Sequence, residues 1–159
     1  MVELVRRTKF DEWPCSIART TDILGDWWTP LVLREAFYGA RRFDDFVDRL
    51  GIGRNVLAAR LNRLVDEGIL RTETYQQRPV RNEYRLTDKG RELFGVLAAM
   101  IRWGDDWLAG DAGPPIELLD RRTGHVVRPL VIDEATGQSL DPRNLTARPG
   151  PGFPRNDPD

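Results

Sequence analysis

The chain has 159 residues, 40% hydrophobic and 31% charged, with 24 basic and 25 acidic side chains and a formal net charge of −1. That balance fits a globular domain with one real core and excludes a strong global field for nucleic acid. No apolar run reaches the roughly 20 residues that a membrane helix needs, residues 1–10 lack the apolar stretch of a secretion signal, and the single cysteine, Cys15, cannot form an intrachain disulfide. A cytoplasmic protein with no membrane partner is expected.

Residues 16–25 place Ile17, Ile23 and Leu24 on one side of a short helix that Gly25 ends. Asp26 offers a cap for a second helix beginning near Trp28, with Pro30 in the first turn, where no intrahelical N–H bond is lost. Leu31, Val32, Leu33, Ala36 and Phe37 cover too wide an arc for a surface helix, so this element is predicted to be the buried spine. Gly39 closes it. Phe43, Phe46, Val47 and Leu50 then recur at helical spacing, and Gly51-Ile52-Gly53 forms a corner whose two glycines allow positive φ and close approach.

After that corner, Leu57, Leu61 and Leu64 fix the core side of another helix. The opposite side carries Asn55, Ala59, Asn62 and Asp66, flanked by Arg54, Ala58 and Arg63. Asparagine can pair bidentately with adenine and arginine with guanine, while small alanines let the backbone approach a groove floor. Charged outer faces are common on any amphipathic helix, so this face alone does not establish DNA binding.

Residues 69–75 and 82–86 read as two strands joined by 76–81, with Pro79 at the tip and Arg78 and Arg81 on either side of it. Arginines at the end of an exposed hairpin suit phosphate or minor-groove contact. Helix, turn, helix and arm in that order describe a winged helix-turn-helix, in which the second helix enters the major groove. The charge agrees locally: between Arg41 and Arg85 there are ten arginines and seven acids.

A last helix is predicted from Thr87 to about Leu108, with Leu93, Leu97, Met100, Ile101, Gly104, Trp107 and Leu108 as an apolar stripe that a second copy of the chain would cover, self-burial being the alternative. Trp103 and Trp107 could face a partner subunit or a small-molecule effector. Residues 111–147 suggest a small β-structured appendage, and 148–159 are rich in Pro and Gly as in a disordered tail. The expected organisation is a winged domain with flanking dimerisation helices over 1–110, then appendage and tail; the fold class is mainly α, formally α+β.

Cys15-Ser16-Ile17-Ala18-Arg19, Gly25-Asp26-Trp27-Trp28-Thr29, Leu33-Arg34-Glu35, Arg41-Arg42-Phe43, the run from Gly51 to Leu57, Arg78-Pro79, Tyr84-Arg85-Leu86-Thr87 and Lys89-Gly90 together resemble the HxlR family of bacterial winged-helix transcriptional regulators. The resemblance covers 15–108. It implies a homodimer joined through its first and last helices, on double-stranded DNA at a pseudo-palindromic operator, as repressor or activator. It places the recognition helix at 53–67 and the wing at 76–81; with the outer-face and arm readings above, the expected DNA contacts are Arg41, Arg42, Arg54, Asn55, Ala58, Ala59, Asn62, Arg63, Arg78 and Arg81.

Some relatives carry a thiol sensor where Cys15 stands. A helix N-terminus favours a thiolate, but Trp13 and Pro14 suggest a packed, protected thiol. Longer relatives end in a zinc ribbon; here Thr123-Gly124-His125 and residues 133–137 occupy its ligand positions without cysteines, so no metal or other cofactor is expected, and His125 reads as a hairpin residue. No nucleophile has an evident base and no phosphate loop is present, which argues against an enzyme. A winged helix used only for protein contact is the rival reading.

Overall fold

The computed structural model describes residues 9–154. They fall into two compact units: one runs up to Arg91 and includes the segment from Pro149, and the other is Glu92–Arg148. The first unit contains α1 (Ser16–Leu24), α2 (Thr29–Phe37), α3 (Phe43–Leu50), α4 (Arg54–Asp66), β1 (Leu70–Gln77) and β2 (Val80–Leu86), and ends within α5 (Asp88–Glu92). This is the α+β winged helix-turn-helix.

The spine is α2. Val32, Leu33 and Ala36 are fully buried, and α2 packs against α1, α3, α4 and β2. Phe46 of α3, Leu57, Leu61 and Leu64 of α4, and Ile69, Leu70 and Leu86 around the arm complete the core. Leu31 is exposed, so the apolar arc of α2 is narrower than expected. At the corner only Gly51 takes the left-handed conformation, with φ of 62°, whereas Gly53 stands at −62° as the residue before α4. The start of α3 is held by Asp45, whose carboxylate accepts the Arg42 and Arg41 amides at 2.9 and 3.1 Å. Those bonds hold its carboxyl below the usual carboxylate range.

The arm is longer and its turn tighter than the sequence suggests. A bulge between Thr74 and Gln76 resets the register, after which Gln76 pairs with Arg81 and Gln77 with Val80. The connection is thereby reduced to Arg78-Pro79, joined by a cis peptide bond. The segment before α3 attaches the arm to the helices: the Tyr84 amide donates to the Arg41 carbonyl at 2.7 Å, and Arg42 is bridged to Glu83.

The long helix expected from Thr87 is two helices. Thr87 caps α5, its hydroxyl accepting the Gly90 amide at 3.0 Å, and Leu93 interrupts the run before α6 (Phe94–Trp107). α6 lies in the second unit, with the tail.

The tail of the second unit contains short 3-10 turns at Gly110–Ala112 and Pro142–Asn144 and two hairpins of one bridge each, Leu119 with Val126 and Ile132 with Ser139. The hairpins repeat one device, Asp-x-x-Thr-Gly. Asp120 accepts the Arg122 and Thr123 amides through its carboxylate and the Gly124 amide through its carbonyl, at 2.7, 3.2 and 2.7 Å. Asp133 repeats the pattern with the Thr136 hydroxyl, the Ala135 amide and the Gly137 amide, at 2.8, 3.2 and 2.7 Å. The Thr136 hydroxyl and the Ala135 amide hold its carboxyl below the ordinary range. His125 sits in the first turn, with Nδ1 2.6 Å from the Thr123 hydroxyl. Of the expected tail, 155–159 lie outside the described residues, as do 1–8 at the start.

Gly90 is the tightest contact between α5 and the arm, since a Cβ there would sit 2.2 Å from the Ile69 carbonyl oxygen. Gly90→Ala is expected to lower unfolding free energy by about 1–3 kcal/mol. Urea denaturation of the two proteins checks it; equal midpoints would mean the arm moves aside freely.

Candidate nucleic-acid interface

The orientation of α4 is fixed from its inner side. Leu57, Leu61 and Leu64 are buried, and two arginines beside them reach back to the first two helices. Arg63 pairs with Asp22 of α1 at 2.8 Å, and Arg60 pairs with Asp26 before α2 at 2.9 Å. Asp26 is also the cap predicted from the sequence, accepting the Trp28 and Thr29 amides at 2.9 and 3.0 Å together with the Thr29 hydroxyl. Burial pushes its carboxyl up, but the Thr29 and Trp28 hydrogen bonds and the Arg60 charge outweigh that, so the net shift is downward.

The same orientation leaves Asn55, Ala59, Asn62 and Asp66 exposed, with Ala58 half-buried at their edge. Arg63, expected on the flank of that face, is instead half-buried and committed to Asp22, with Glu67 beyond it at 3.8 Å. Arg54 is exposed at the start of α4, paired with Asp44 at 2.8 Å and lying over the Phe43 ring at 4.8 Å. Neither partner was legible as such, because the pairing depends on how the corner folds α3 against α4.

Arg41 and Arg42 separate in role. The Arg41 guanidinium donates to the Ala36 and Ala40 carbonyls at 2.9 and 3.2 Å, satisfying the end of α2. Arg42 lies over the Tyr75 ring at 4.5 Å, where the bulge turns that side chain. Along the arm, Arg71 and Arg85 are paired with Glu73, and Arg85 also with Glu83. Arg78 and Arg81 at the tip are exposed and have no ion pair among the described residues. The arm is therefore neutralised along its length and cationic at its end.

Two other expectations meet the structure here. Cys15 is exposed and not packed, while Phe10 and Trp13 meet edge to face with centroids 5.1 Å apart. The α6 stripe is uneven: Met100, Trp107 and Leu108 are exposed, Leu93, Ile101 and Gly104 half-buried, and Leu97 buried. Ile101 is covered from the tail, where it lines a small cavity with Ile116, Leu118, Val126 and Val127.

Comparison with known proteins agrees with this geometry. The model of the HxlR-like helix-turn-helix family matches residues 23–112. The HTH-type transcriptional regulator Rv3095 of Mycobacterium tuberculosis is 42% identical over 138 residues, 87% of each chain. Among solved structures, the transcription factor candidate PA1607 superposes with a TM-score of 0.79 at 36% identity, covering 89% of this chain and 99% of that one. The redox regulator HypR in its reduced form gives 0.55 at 30% identity, covering 58% and 92%. Among the described residues no helix is long and apolar enough to cross a membrane.

The Asp26 carboxylate has a testable pH signature. Its folded pKa lies below its unfolded value of about 3.9, so its contribution is complete above that value and lost as pH falls through the lowered folded one. Asp26→Ala is expected to cost about 1–3 kcal/mol at pH 7. The gap from the native chain, measured by urea unfolding, should narrow as the solution is acidified below the unfolded value; a gap independent of pH would deny Asp26 this role.

Proposed function

The chain belongs to the HxlR-like helix-turn-helix family of transcriptional regulators, and from that premise we propose that it acts as a homodimer on a pseudo-palindromic operator. Residues 53–67 are its recognition helix and 76–81 its wing. The observation that carries this reading is the pairing of an exposed Asn55, Ala59 and Asn62 face on α4 with two unpaired arginines at the arm tip.

The roles divide by chemistry. Asn55 and Asn62 read base edges, Ala58 and Ala59 allow close approach, and Arg54 leaves Asp44 for a base or phosphate. Arg78 and Arg81 neutralise phosphates, and Arg42, held over Tyr75, lies between wing and helices. Arg41 and Arg63 support the interface from behind. The exposed members of the α6 stripe, Met100, Trp107 and Leu108, join the two subunits together with Leu93, Leu97, Ile101 and Gly104, and a dimer doubles the local cationic surface.

On promoter DNA from its own locus, Arg78→Ala should weaken binding to all sequences and reduce the log–log salt slope by about one. Asn55→Ala should instead relax base preference, by about 1–3 kcal/mol at one position. Met100→Glu with Leu108→Glu should sediment as a monomer and bind half-sites only. A chain that shifts no promoter fragment at low salt would favour a protein-contact module.

One observation favours a second layer to this reading: Cys15 stands exposed at the N-terminus of α1, so the regulator responds to electrophiles through that thiol. Alkylation with N-ethylmaleimide should then change operator affinity of the native chain and leave Cys15→Ser untouched. Full labelling with unchanged affinity would remove the sensor role.

A further inference from the structure

Within the second unit, α6 and the two tail hairpins enclose an open groove of about 740 Å³ that the DNA-binding reading does not use. Its floor is made of small residues, Gly95, Ala98 and Ala99, and its walls include Trp103, Leu119 and Val131. The walls are far from dry: Trp103 is 59% exposed, Leu119 57% and Val131 57%. Apolar surface of this kind, gathered in a concavity, marks a binding site more often than chance.

The groove lies on the other side of α6 from the proposed subunit stripe. At 3.6 residues per turn, Gly95, Ala99, Arg102 and Asp106 lie about half a turn around the helix from Leu97, Gly104 and Leu108, with Trp107 at the border. A second copy seated on the stripe therefore shares only Trp107 with the groove and leaves the rest of it open.

Charge narrows the occupant. Arg102 is the one cation in the lining, and it is already paired with Asp106, which Arg128 also contacts at 2.9 Å. Within the lining Arg102 and Asp106 cancel, so the groove itself carries no net charge; Arg128, the second guanidinium on Asp106, is exposed and lies outside the lining. The other polar side-chain groups are the Trp103 and Trp107 indole N–H donors and the Ser139 hydroxyl, which has no hydrogen bond among the described residues. The volume falls within the roughly 300–1,000 Å³ of small-molecule sites.

We propose that this groove binds a neutral, planar, largely aromatic small molecule, stacked on Trp103 over the Ala98 and Ala99 floor, with one hydrogen bond to Ser139. Binding is a property of the second unit itself; an effect on operator affinity would rest on the regulator reading above.

The test uses the full chain without DNA and the neutral fluorescent probe N-phenyl-1-naphthylamine. Its emission should rise to saturation at one site per chain, with quenching of tryptophan emission. Ala99→Trp fills the floor and should weaken binding at least tenfold, and Trp27→Ala, at an exposed position of the first unit, should leave it unchanged. If Ala99→Trp does not fold by circular dichroism, Leu130→Glu at an exposed wall position takes its place. A signal that never saturates, or one unaffected by the filling variant, overturns the proposal. So does an Ala99→Trp or Leu130→Glu chain that folds but changes its sedimentation, because the groove is then a protein contact.

Discussion

The presentation of α4 depends on how its inner side is held. Three buried leucines would allow the helix to roll or slide, since hydrophobic burial is not directional. Arg60–Asp26 and Arg63–Asp22 remove that freedom by fastening the same side to two separate elements. All four side chains are largely shielded, so removing one partner of either pair costs more than the roughly 0.2–1 kcal/mol of exposed pairs. Their geometric effect matters more: they set which residues of α4 meet solvent. Asp26 combines both tasks, capping α2 and holding Arg60, so the spine and α4 share a single carboxylate.

The arm follows a comparable economy. A hairpin with unpaired arginines throughout would repel itself and stick to any polyanion. Glu73 and Glu83 offset Arg71 and Arg85 along its length, which confines unpaired charge to Arg78 and Arg81. Shortening the turn to two residues keeps both arginines on paired backbone or directly at the tip, and this limits the entropy lost when they meet a phosphate. The Tyr84–Arg41 backbone hydrogen bond and the Arg42 guanidinium over Tyr75 then connect the arm to the helical body.

Periodicity made much of this legible. The leucine spacing of α4 identifies its buried side, and Asn55, Ala59 and Asn62 emerge on the opposite one. Asp26 was recognisable as a cap because capping is local in sequence. What escaped sequence reasoning was long-range. Arg63 looks like an outer flank until α1 brings Asp22, 41 residues away, to meet it. Arg41 looks like a phosphate ligand until the chain leaving α2 presents the Ala36 and Ala40 carbonyls to it. The arm register depended on a bulge that no residue type at Tyr75 announces. Cys15 was misjudged because apolar neighbours in sequence were assumed to be neighbours of the thiol in space.

The tail hairpins show how a small β structure can hold its turns with carboxylates alone. In a metal knuckle the ligand gathers turn amides and the ion joins the turns. Here Asp120 and Asp133 gather the amides of their own turns, which satisfies the local backbone but supplies nothing to join one turn to the other. Joining them then falls to side-chain packing, and the hairpins together are too small to bury a core of their own. An apolar face on a neighbouring helix is the available remedy, which accounts for Gly95, Ala98 and Ala99 facing the hairpins while the opposite side of α6 is also apolar. A helix apolar on two sides has to be covered twice, and the short hairpins cover one side incompletely, leaving a groove where a larger appendage would have filled the space.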